Sequence, residues 1–197
     1  MDTRADDYYF ICGKCGAYLK DSKHYVTNAQ ERSHYEEHNN DVTDVRYQYF
    51  TTPITNAIFK NHSEEQLGLD FGCGNGPVIS KQLIDKGFRV VLFDPYFHPD
   101  KGYLENQYDY IFSCEVFEHF FQPKQEIEKL LHILKPGGKL YIMTHLFDPG
   151  LSFAHWYYRK DPTHVFIYTE NTIKFLSERY NLTIEILTDR FIILKKE

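Results

Sequence analysis

From Gln66 onward, short apolar runs alternate with amphipathic stretches. "LGLDFG" (67–72), "RVVLFD" (89–94), "YDYIFSCE" (108–115) and "KLYIMTHL" (139–146) each read as a strand. Between them, "PVISKQLIDKG" reads as a helix, with Pro77 in its first turn and Gly87 at its stop. In "PKQEIEKLLHILKPGG", Ile127, Leu130, Leu131 and Leu134 fall at i, i+3, i+4 and i+7, one helix face, and Pro136-Gly137-Gly138 ends it. "TENTIKFLSERY" is a last helix, and "LTIEIL" and "FIILKK", joined by Thr188-Asp189-Arg190, form an antiparallel pair. Strands alternating with helices predict an α/β fold, a doubly wound, mostly parallel sheet closed by that C-terminal pair.

Residues 1–65 follow a different pattern, with only short apolar runs. Ile54, Ile58 and Phe59 lie at helical spacing there, so this part reads as a small helical and aromatic cap on a domain spanning 66–197. Sheets of the expected kind bind ligands beyond the C-terminal ends of their strands, where strand order reverses. The glycine-rich "LDFGCGNGP" sits at one such end.

Composition narrows the partners. Aromatic residues make up 17% of the chain, which suits aromatic-lined pockets, and the formal charge of −6 disfavours salt-driven binding to nucleic acid. No apolar run reaches the ~20 residues of a membrane span, and the N-terminal stretch lacks signal-peptide character, so a cytoplasmic protein is expected. In that compartment Cys12, Cys15, Cys73 and Cys114 are expected as free thiols or metal ligands.

The loop glycines are Gly72, Gly74 and Gly76. The dinucleotide fingerprint would need glycine at 77, where this chain has Pro77. Asp70, before the loop, would repel a pyrophosphate at a helix N-terminus. An amine-bearing, phosphate-free ligand with a ribose meets both conditions, and Asp94, at the end of the second strand, is the group expected to hold ribose hydroxyls. S-adenosylmethionine is such a ligand.

"LDFGCGNG", "FDP", "YDYIFSCEVFEHF" and "LKPGGKLYIMT", in this order, resemble the class I S-adenosylmethionine-dependent methyltransferases, over roughly residues 66–197. The resemblance implies a Rossmann-like fold. It also implies that Asp70, Gly72, Cys73, Gly74 and Gly76 line the methionine end, that Asp94, with Pro95 beside it, meets the ribose, and that Cys114, Glu115, Val116 and His119 edge the cofactor cleft. The stretch 95–107 departs from the family pattern in lacking a clear third strand, and Tyr96 and Phe97 are candidates to stack on the adenine.

Methyl transfer to oxygen or carbon also needs a proton removed. "LSFAHWYYRKDPTHVFIYTENTIKFL" should overhang the cleft, and His164, His119 and Asp161 are the candidate catalytic groups, with Asp161 and His164 paired if the chain turns between them. "CGKCG" has the shape of a zinc knuckle, and His34 and His38 would complete a Cys₂His₂ zinc set with Cys12 and Cys15. Otherwise the thiols are a reduced pair in a turn, and "HYEEHNNDVTDVRYQYF" is a helical lid with Tyr47 and Tyr49 closing over the cleft. The expected function is methyl transfer to a small-molecule acceptor. The alternatives are an RNA or protein acceptor recognised by the knuckle, or a non-catalytic S-adenosylmethionine-binding module.

Overall fold

The computed structural model describes residues 2–37 and 41–197. Its centre is a six-stranded sheet of β4 (Leu67–Phe71), β5 (Arg89–Phe93), β6 (Tyr108–Cys114), β7 (Leu134–Met143), β9 (Leu182–Leu187) and β10 (Phe191–Lys196), in the order β5-β4-β6-β7-β10-β9. β4 pairs in parallel with both β5 and β6, and β6 with β7. β10 runs antiparallel to β7 and β9, so it alone opposes the others. The chain winds one way from β4 to β5 and the other way to β6, which opens a crevice at the C-terminal ends of β4 and β6.

Period-2 alternation splits the core into two layers. Leu140, Ile142, Ile192 and Leu194 face the helices α4 (Pro123–Ile133) and α5 (Glu170–Tyr180), where Ile127, Leu130, Leu131, Ile173 and Leu176 complete the packing. Tyr141, Met143 and Ile193 face the other way, onto α2 (Val45–Asn61) and α3 (Val78–Ile84). Each fully buried aliphatic side chain in these layers contributes about 1.5–3 kcal/mol. A capping box between Thr169 and Thr172 starts α5, and Asn181, in the left-handed region at φ 52°, ends it.

Three features differ from the sequence reading. First, Ile54 and Ile58 of α2 are fully buried in the same layer as α3, so this helix is built into the core that the 66–197 boundary excluded. Second, the N-terminal residues are strands. β1 (Thr3–Arg4), β2 (Tyr9–Ile11) and β3 (Tyr18–Lys20) form an antiparallel sheet completed by β8 (Phe166–Ile167). Runs this short carry no local signal; they hold because Tyr9 and Tyr18 pack with Phe147, Trp156, Tyr158 and Ile167. The remaining N-terminal helix is α1 (Asn28–Glu37). Third, Pro136-Gly137-Gly138 does not precede the fourth strand but lies inside β7, as an irregularity where the register jumps from Tyr108↔Leu134 to Tyr110↔Lys139. Between β5 and β6 the chain makes only a single 3₁₀ turn, Lys101–Glu105, so the sheet ends at β5.

Candidate active site

The glycine loop is shaped by its own backbone. Gly72 and Gly74 sit at φ 81° and 65°, conformations that glycine adopts without strain. A Cβ on Gly72 would also lie 2.5 Å from Cγ2 of Val116. The amides of Gly72 and Cys73 donate to the Phe93 carbonyl at 2.8 and 3.1 Å, which ties the loop to the end of β5. Asp94 fixes both sides of the crevice. Its Oδ2 accepts from the Gly74 amide at 3.1 Å, and its Oδ1 accepts from the amides of Tyr96 at 2.8 Å and Phe97 at 3.0 Å.

A cavity of about 1060 Å³ opens over this loop. Of the residues assigned to the cofactor, Gly72, Cys73, Gly74, Asp94, Pro95, Cys114, Glu115, Val116 and His119 line it. Asp70 and Gly76 do not. Asp70 lies buried behind the loop, where its Oδ2 accepts from Ser80 Oγ at 2.6 Å. Burial pushes its carboxyl up to about 7, against the pull of the Ser80 hydroxyl. Tyr96 and Phe97 line the cavity, and the Tyr96 hydroxyl donates to Glu31 Oε2 at 2.8 Å. Glu31 Oε1 accepts from Tyr35 at 2.8 Å, so α1 bridges the opening. Tyr47 of α2 lines the cavity, whereas Tyr49 is 81% exposed and takes no part.

The other end of the cavity is floored by side chains. After β6 the chain is forced into the left-handed region at Glu115 (φ 53°), then makes one 3₁₀ turn, Phe117–His119. That turn buries Glu118 completely. Glu118 Oε2 accepts from Thr144 Oγ1 at 2.8 Å, and its Oε1 accepts from the Tyr158 hydroxyl, which also lies 3.1 Å from Glu115 Oε2. His119 Nδ1 sits 3.1 Å from the Thr163 carbonyl and His164 Nδ1 2.6 Å from the Tyr158 carbonyl. Carbonyls only accept, so both Nδ1 atoms carry the hydrogen and both Nε2 atoms keep a lone pair.

The turn expected between Asp161 and His164 forms, with Asp161 Oδ2 3.9 Å from His164 Nε2. Burial, reinforced by the neighbouring His119, pushes His164 down to about 3, and burial also lowers His119. Asp161 falls to about 2: burial opposes this, but the Thr163 hydroxyl and the charge of His164 outweigh it. Burial lifts both Glu115 and Glu118 above the ordinary carboxylate range, with their mutual repulsion adding to the effect on Glu115. Near neutral pH the floor therefore presents two uncharged imidazoles beside buried carboxyl groups.

The Cys₂His₂ zinc set does not assemble among the described residues. Cys12 and Cys15 share the turn between β2 and β3, and the Cys15 carbonyl accepts from Thr172 at the start of α5. His34 instead lines the cleft, its Nε2 3.3 Å from Asp161 Oδ2. His38 lies outside the described residues. Sequence reasoning missed Glu118, Thr144, Glu31 and Tyr35. For Glu118 a signal existed, because a carboxylate set among Phe117, Phe120 and Phe121 is placed to be buried.

A methyltransferase-domain family model matches residues 43–186. A search of curated protein sequences finds no match. Among solved structures, the Burkholderia thailandensis 1,6-didemethyltoxoflavin-N1-methyltransferase, with its acceptor and S-adenosylhomocysteine bound, superposes at TM-score 0.59 and 13% identity, covering 99% of this chain and 98% of that one. A Haloferax volcanii structure containing the Trm112 methyltransferase activator gives TM-score 0.62 at 13% identity, over 86% of this chain and 97% of that chain. Human N-acetylserotonin methyltransferase in complex with S-adenosylmethionine gives 0.55 at 14%, over 76% and 53%. With the glycine loop, Asp94 and the strand order in place, the chain belongs to the methyltransferase-domain family, as an S-adenosylmethionine-dependent methyltransferase of class I architecture.

Proposed function

We propose that this protein methylates a hydroxyl group of a small, partly apolar molecule seated on the floor that His119 and His164 form over the buried Glu118. The observation that carries the reading is the continuity of the cavity. It runs from the glycine loop, past Glu115, to that floor, between walls that include Tyr35, Phe121 and Tyr157. Its volume lies just above the ~300–1,000 Å³ range of single-ligand sites, which leaves room for a second small molecule beside the cofactor. S-adenosylmethionine would supply an electrophilic methyl on a sulfonium leaving group. Gly72 and Gly74 suit the close approach of its methionine end, and Asp94 suits its ribose.

The chain's own part is to align the acceptor oxygen and provide for its proton. The floor offers the lone pairs of His119 and His164 and the carboxylate of Asp161. A buried, acid-rich floor and a net charge of −6 oppose a polyanionic acceptor. The small-molecule enzymes among the structural neighbours accord with this reading.

The test is transfer of labelled methyl from S-adenosylmethionine to three pools: small hydroxylated aromatic compounds, total RNA and total protein. Label in the small-molecule pool is expected. Label confined to RNA or protein would overturn the acceptor class, and cofactor binding without transfer to any pool would favour a non-catalytic module.

A further inference from the structure

On the floor the completely buried Glu118, which accepts from Thr144 and Tyr158, converges with the ring nitrogens of the half-buried His119 and the buried His164. Nε2 of His119 and Nε2 of His164 lie 3.9 and 4.0 Å from the same oxygen, Glu118 Oε1. Both nitrogens bear lone pairs, because each ring spends its Nδ1 hydrogen on a backbone carbonyl. That outward hydrogen bond is the arrangement that orients a metal-ligating histidine. A second carboxylate, Asp161 Oδ2, stands 3.9 Å from His164 Nε2. Beside them Glu115 Oε1 is buried without a hydrogen-bond partner, on a residue held at φ 53°. The Tyr158 and Thr144 hydroxyls each serve one oxygen of Glu118, which leaves two imidazole lone pairs and Glu115 Oε1 as acceptors facing one another.

We infer that Glu118, His119 and His164 bind a divalent cation, with Asp161 and Glu115 as outer carboxylates. The inference rests on the methyltransferase reading for what the cation does, though not for whether it binds. The ligand atoms of the three groups all lie within 4.8 Å of one another. A six-coordinate ion with bonds of about 2.1 Å spaces adjacent donors about 3 Å apart, so the triad closes by about 1–2 Å on binding. Two imidazoles and one carboxylate on one side of an ion, with positions left open, fit Mn²⁺ or Fe²⁺ better than the all-oxygen shell of Mg²⁺. The open positions face a cavity lined by His119, His164 and Glu115, where an acceptor hydroxyl would sit. Coordination there acidifies the hydroxyl. Its O–H bond breaks with the proton passing to water, and an O–CH₃ bond forms as the cofactor's S–CH₃ bond breaks, leaving S-adenosylhomocysteine.

The test uses the full chain without a His tag, stripped with EDTA and titrated with Mn²⁺ alone. Free-Mn²⁺ EPR is expected to show one high-affinity site per chain, and pulsed EPR to show couplings to imidazole nitrogens. His164→Ala and His119→Ala each weaken binding about a hundredfold or more, and Tyr158→Phe, which removes a hydrogen-bond donor to Glu118, about tenfold. A Cys12→Ser/Cys15→Ser variant binds as the wild type does. No Mn²⁺ uptake, uptake without nitrogen coupling, or uptake unchanged in the histidine variants would each overturn the proposal. The nitrogen coupling is read on wild-type protein, so a variant that fails to fold leaves the test intact. Cofactor binding is measured separately with S-adenosylhomocysteine, so failure of the metal site and failure of the methyltransferase reading are distinguishable.

Discussion

The two ends of the cleft are made of different materials. At the cofactor end the shape comes from backbone: two glycines in the left-handed region, amides donating to the Phe93 carbonyl, and one carboxylate, Asp94, gathering three more amides. At the floor the shape comes from side chains delivered by separate segments. Glu118 meets Thr144 and Tyr158, and His119 meets Thr163, across 26 to 44 positions of chain. A backbone-built site tolerates change in side chains but not in conformation. A side-chain-built site has the opposite sensitivity, and mutations should separate the two.

The largest effect is expected at Gly72. In Gly72→Ala the new Cβ meets Val116 at 2.5 Å, and the left-handed conformation alone costs about 1–2 kcal/mol. Calorimetry should find S-adenosylhomocysteine affinity lost by more than about thirtyfold, with a lower melting temperature. Asp94→Ala comes next. It strands the amides of Gly74, Tyr96 and Phe97, and hydrogen bonds to a charged group are worth about 1.5–3 kcal/mol, so cofactor affinity should fall about ten- to a hundredfold. Near-normal binding in that variant would mean the loop holds its shape without the carboxylate.

Tyr158→Phe tests the other end. It removes the hydroxyl that donates to Glu118 and stands beside Glu115, while touching nothing at the glycine loop. Steady-state kinetics should show turnover reduced about tenfold, with S-adenosylhomocysteine binding within about twofold of wild type. A parallel fall in both would break the division drawn here.

Smallest in its effect on activity is Asp70→Asn. The folded-state carboxyl titrates near 7, above its ordinary 3.8, so the native protein holds a proton that the unfolded chain releases between those values. Asp70 therefore favours folding below about pH 4, and that contribution is lost as pH rises through about 7. Denaturant melts across this window should be flatter for Asp70→Asn, with the variant more stable than wild type at pH 8.

The same contrast sets what the sequence revealed. The glycine loop and Asp94 are short-range features, and turn chemistry shows in neighbouring residues. The six strands and the amphipathic stripe of α4 were legible because burial on two faces leaves period-2 and period-3.6 patterns. Pairing of β3 with β8 left no such mark, since Tyr18 and Ile167 come from opposite ends of the chain. The Cys₂His₂ reading failed for the same reason. Spacing placed His34 near the thiols, but α1 carries it to Asp161 in the cleft. Asp70 shows a further limit: the sequence set its carboxylate at the entrance of the loop, whereas the structure buries it behind the loop against Ser80, ten positions on in α3, with its carboxyl pushed up to about 7.

The central claim is that one end of this cleft binds the cofactor and the other handles the acceptor. The direct measurement is calorimetric titration of S-adenosylhomocysteine into wild-type, Asp94→Ala and His164→Ala proteins. The account predicts one site in the wild type, tenfold or greater weakening in Asp94→Ala, and unchanged affinity in His164→Ala, each about as expected from the hydrogen bonds lost. No binding to the wild type, or equal loss in both variants, would contradict it.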